Sequence, residues 1–106
     1  MTRHNPNTHA RSAADALGRL LREVQSGRAG WDHPHTARQA AEDLARTAEG
    51  LAGAAQQLAA ALAAMEHTGL ARPRGAARQD ADALLRAGQA ATTAAGHLRQ
   101  ARRAMH

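Results

Sequence analysis

The stretch ARQAAEDLARTAEGLAGAAQQLAAALAAM, residues 37–65, decides the fold. It contains no proline and no aromatic residue, and Thr47 is its one β-branched residue. Thirteen of its 29 residues are alanine, which has the highest helix propensity and no side-chain entropy to lose. Ala37, Leu44, Leu51, Leu58 and Met65 recur every seven residues, and Ala41, Ala48, Ala55 and Leu62 fill a neighbouring row. A heptad pattern held over four repeats predicts coiled-coil-like packing. The leucine row is expected to be the buried seam, so that Leu51→Asp or Leu58→Asp unfolds the chain while Arg46→Ala barely matters. Arg38, Glu42, Arg46 and Glu49 fall on the opposite face, spaced for i,i+3 and i,i+4 pairs.

This helix is predicted over about residues 34–67. Asp32-His33-Pro34 marks its start, and Thr36 to Gln39 offers a second capping box. Gly69 fits a C-cap, and Pro73 blocks continuation. A third helix follows over about residues 75–105, with Ala77, Leu84, Ala91, Leu98 and Met105 again seven apart. The short connection makes the two helices antiparallel. Folding about residue 72 sets positions 48–56 against 88–96. Gly50 and Gly53 then meet Gly88 and Gly96, which implies close backbone approach; drift in a GC-rich gene is the other reading. A shorter first helix spans about residues 6–26, with Asn5-Pro6 or Ser12 to Asp15 as its start. Ala10, Ala13, Leu17, Leu20, Leu21 and Val24 mark its apolar side, and Ser26-Gly27 and Gly30 close it.

The expected architecture is one all-α domain over residues 1–106: a long antiparallel hairpin of helices 2 and 3 with helix 1 laid along it as a three-helix bundle. The 30 alanines and 11 leucines, with no Ile, Phe or Tyr, leave a sheet without its preferred residues. They also build a thin core, because a buried leucine contributes roughly 1.5–3 kcal/mol and an alanine far less. Self-association, as a homodimer, is expected to supply the missing burial.

Fourteen Arg against nine acids leave a net charge of +5, which suggests anionic partners, although GC-rich codon usage produces arginine as well. The charge is segmented: +3 over residues 1–31, −3 over 32–68 and +5 over 69–106. Much of the basic charge therefore has an internal complement. There is no cysteine and no apolar run longer than Leu58 to Met65. Disulfides, thiolate chemistry and a membrane span are excluded, and a cytoplasmic location is expected.

Chemistry-bearing residues are few. His33, His35 and His106 fall at one end of the hairpin and are the candidate metal ligands, without a sequence-local metal motif. No cofactor is expected. Arg72, Arg74 and Arg78 cluster at the turn, and Arg99, Arg102 and Arg103 near the C-terminus. Either group suits phosphate contact, though cations in a last helical turn also complement the helix dipole. Trp31, the single aromatic residue, reads as a plug for one end of the bundle or as an exposed partner anchor. With two serines, no Tyr and no phosphate-binding glycine loop, no catalytic constellation forms. The expected function is that of a non-enzymatic helical interaction protein, an adaptor, scaffold or regulator that binds itself and a further protein. Accessory nucleic-acid binding through the arginine clusters is the alternative.

Overall fold

A computed structural model of the protein describes residues 6–27, 34–67 and 76–105. They form α1 (Pro6–Gln25), α2 (Pro34–His67) and α3 (Ala76–Ala104), of 20, 34 and 29 residues, with no strand among the described residues. The chain falls into two compact units, Met1–Asp32 and His33–His106, and each is described by itself.

In the first unit α1 starts at Pro6, where a fixed φ and a missing N–H cost a helix nothing. Ser12 is thus interior, and the alternative start is not used. The helix ends as expected at Ser26-Gly27. Gly27 turns the chain at φ 74°, a left-handed conformation that glycine adopts without strain. Its N–H donates to the Val24 carbonyl at 3.2 Å, and the Ser26 N–H donates to the Arg22 carbonyl at 2.9 Å. The Ser26 hydroxyl donates to the Glu23 carbonyl at 3.0 Å. Leu17, Leu21 and Val24 are exposed along one side.

The second unit is the hairpin of α2 and α3. Its antiparallel course is read from its cross-contacts: Glu42 meets Arg99, while Ala52 lies against Gly88. α2 starts at Pro34, so the second capping box lies inside it. The Gln39 amide donates to Asp43 at 3.2 Å instead of reaching back as a cap.

The seam is made of alanine. On α2 it runs through Ala41, Ala45, Ala52, Ala55 and Ala59, all buried, with Ala48 and Leu62 partly buried. On α3 it runs through Gly88, Ala91 and Ala95, flanked by the partly buried Leu84 and Leu98. Steps of four and three keep such a row on one face of a helix. The expected row on α3 is therefore part of the seam through Leu84, Ala91 and Leu98.

On α2 the leucine row is not the seam. Leu51 and Leu58 are 59% and 50% exposed, and Met65 is exposed as well, whereas Ala45 is 0% exposed. The neighbouring row of Ala41, Ala48, Ala55 and Leu62 lies at the contact in their place. The physical reason is backbone distance. Small residues on both helices let the two backbones approach closely, and dispersion contacts accumulate along the whole length. A leucine row in the same place would hold the helices apart.

Close approach is sharpest at Gly88. A Cβ there would lie 3.3 Å from the Ala52 carbonyl oxygen and 3.7 Å from the Ala55 Cβ. Gly50, Gly53 and Gly96 have open space where a Cβ would sit. Of the four glycines expected to face one another, only Gly88 is at the contact.

Candidate interaction surface

Around α2 the side chains fall into three lengthwise zones. The alanine seam occupies the middle. Glu42 and Glu49, seven residues apart, stand roughly a quarter turn to one side, and Leu44, Leu51 and Leu58 stand roughly a quarter turn to the other.

The acidic side carries a cross-helix ion-pair cluster. Arg99 on α3 donates Nη1 and Nη2 to the two carboxylate oxygens of Glu49, each at 2.8 Å. It also reaches Glu42, with Nη2 at 3.3 Å and Nε at 3.4 Å. The fork of a guanidinium matches a carboxylate in this two-pronged way, which a lysine does not reproduce. Arg102 Nε lies 3.4 Å from Glu42 Oε2, within range for charge attraction, but it is buried and makes no hydrogen bond. Hydrogen bonding from Arg99 holds the Glu49 carboxyl below its ordinary value. The Glu49 and Glu42 carboxylates in turn raise Arg99 above the usual arginine range. Glu42 and Glu49 were expected on a solvated face making local pairs. They span the hairpin instead, while Arg46 makes the local pair, with Asp43 at 3.1 Å.

The other side carries one charge among the described residues, the partly buried Asp80, which lies one heptad before Ala87 on α3. The Arg99 cluster fixes which way each helix is turned. Positions a quarter turn from the α3 seam on the side away from that cluster are Ala87, Ala94 and Ala101. All three are exposed. They flank the exposed leucine row of α2, so this broad face of the hairpin consists of a leucine ridge beside an alanine groove.

Among the residues singled out from sequence, Arg99 and Arg102 stand in the ion-pair cluster and Arg103 is exposed on the last turn of α3. His35 lies exposed in the first turn of α2. Trp31, His33, Arg72, Arg74 and His106 lie outside the described residues, as does the side chain of Arg78. Among the described residues no group of three His, Cys, Asp or Glu is gathered where a metal ion would sit. None of the described helices is long and apolar enough to cross a membrane. The apolar face escaped the sequence reading because the leucines were assigned to the seam. The signal for it was the run of small residues Gly88, Ala91 and Ala95, which leaves no hole for leucine knobs.

Comparison with protein-family models, with curated proteins and with solved structures returns no match for this chain.

Proposed function

We propose that the protein is a non-enzymatic helical interaction module whose first partner is a second copy of itself, joined through the leucine and alanine face of the hairpin. The observation that carries this reading is the exposure of Leu51 and Leu58 in a face whose one charge among the described residues, Asp80, stands near its turn end. A chain of net charge +5 repels its own copies over most of its surface, and this face is where that repulsion is weakest. The face is also self-complementary. A two-fold axis through it lays the leucine ridge of each copy into the alanine groove of the other, as an isologous contact requires.

The area suffices. A face about 44 Å long, from 29 residues at 1.5 Å rise, and two helices wide offers on the order of 800 Å² per copy. That is the usual size for a stable protein–protein contact. The four-helix assembly so formed is an adaptor or scaffold, and a cytoplasmic setting is part of the same reading. The nucleic-acid alternative gains no support from Arg99 and Arg102, whose charges are already matched by Glu42 and Glu49.

Sedimentation or light scattering at micromolar concentration tests it. The chain should report about twice 11.1 kDa, and Leu51→Glu with Leu58→Glu should return it to a monomer that keeps its helical circular-dichroism spectrum. A monomeric parent would overturn the dimer. The accompanying pattern then names the occupant: unfolding by Leu51→Glu means the face is covered from within the chain, and indifference to it means a different protein is the partner. Tight, salt-resistant binding of generic DNA or RNA by the parent would overturn the functional reading.

A further inference from the structure

At the end of the hairpin where α2 begins and α3 stops there is an open cleft of about 360 Å³, lined by His35, Arg38, Glu42, Arg102, Arg103 and Met105. We infer that this cleft binds the phosphate group of a small phosphorylated molecule, with Arg38 and Arg103 as its two cationic arms. This site is distinct from the dimer face and does not depend on it.

Charge accounting carries the inference. Glu42 is the only carboxylate in the lining, and it is shared by Arg99 and Arg102. With Glu49 those four groups balance, two positive against two negative. Arg38 and Arg103 are left over, and among the described residues neither has an ion pair or side-chain hydrogen bond. Arg103 has a structural reason to be there, since a cation in a last helical turn meets the negative end of the helix dipole. Arg38 has none. It stands one turn into α2, towards the helix end that disfavours positive charge, and it is partly buried. A partly buried guanidinium that pairs with no carboxylate among the described residues, facing a cleft that also holds the exposed Arg103, is suited to an anion from solution. A phosphomonoester carries about −1.5 to −2 charges near neutral pH and three acceptor oxygens, which suits two arginines. The cleft is larger than a phosphate group alone. The remaining space, beside the Met105 side chain, takes a small organic body.

Isothermal titration of the full-length chain with inorganic phosphate and with glycerol 3-phosphate, in low-salt buffer, tests the site. One equivalent per chain should bind, glycerol 3-phosphate more tightly than phosphate, and glycerol itself should give no heat. Arg38→Gln and Arg103→Gln should each weaken binding about tenfold, the worth of one charge-assisted hydrogen bond. Arg86→Gln removes the same charge from an exposed position on α3 outside the cleft, and it should leave binding unchanged. Circular dichroism of the three variants should match the parent, since neither Arg38 nor Arg103 makes a side-chain bond among the described residues. Absence of binding to either anion would overturn the inference. So would equal weakening by Arg86→Gln, which would mean that only overall charge attracts the anion.

Discussion

Arg99 grips Glu49 with both terminal nitrogens at 2.8 Å, across 50 positions of sequence and from one helix of the hairpin to the other. Among the described residues it is the shortest polar link between α2 and α3, and the one side chain that engages both Glu42 and Glu49. Arg99→Ala is expected to lower the melting temperature by a few degrees, and Arg99→Lys to restore only part of the loss, because an ammonium lacks the fork. High salt should shrink the difference, as befits a partly exposed pair. Thermal melts of the three proteins at two ionic strengths check this.

The Glu49 carboxyl titrates below its ordinary value of 4.5 because Arg99 donates to its charged form. The sign follows directly. The unfolded chain holds that proton more tightly than the folded one, so the contribution to stability is complete above about pH 4.5. It is lost as the pH falls through the lowered folded value. Urea midpoints measured between pH 7 and pH 2.5 should fall in acid, and Glu49→Gln should flatten part of that fall. An unchanged acid dependence in Glu49→Gln would show that the link has no linkage value.

Glycine substitutions should split by place. Gly50→Ala, Gly53→Ala and Gly96→Ala add a methyl into open space and should each stabilise by about 0.5–1 kcal/mol through helix propensity. Gly88→Ala should give none of that gain, because its Cβ would press on the Ala52 carbonyl oxygen at 3.3 Å. Gly88→Leu should cost several times more. Urea unfolding of the four alanine variants separates the two classes.

Ala55→Leu or Ala91→Leu should be worse than any change in the leucine row. Both alanines are 6% exposed in the seam, and overpacking a tight contact costs about 1–3 kcal/mol or more. Leu51→Ala, at a half-exposed site, should leave the hairpin's helicity intact. Circular-dichroism melts of the three variants in dilute solution test the ordering.

How much of this was legible in the residues can be stated element by element. The three helices follow from alanine content and from breakers at Pro6, Gly27, Pro34 and Pro73, because propensity and punctuation act locally. The antiparallel pairing follows from connection length. The choice of seam on α2 does not. Period seven states which residues share a face, and two rows satisfy it equally, Ala41-Ala48-Ala55-Leu62 and Leu44-Leu51-Leu58-Met65. Hydrophobicity favours the leucines, while steric fit against Gly88, Ala91 and Ala95 favours the alanines, and fit prevails. The Glu42 and Glu49 pairing was hidden for a related reason. Once the leucines were placed at the contact, both acids rotated out to solvent, although the −3 and +5 segments already hinted at a bridge. Arg38 was legible as a charge but not as an unmatched one, since that requires knowing what every other charge nearby is doing.

The alanine seam has a mechanical consequence. Along α2 the methyl groups of Ala41, Ala48 and Ala55 present almost the same profile at every heptad, so that helix by itself does not fix the level at which α3 sits. A smooth track of this kind holds two helices together without telling them where to stop. The stops are elsewhere: the notch at Gly88, which admits the Ala52 backbone at one level only, and the grip of Arg99 on Glu49. These two points index the hairpin, and losing either would leave a bundle equally helical but free to settle in the wrong alignment.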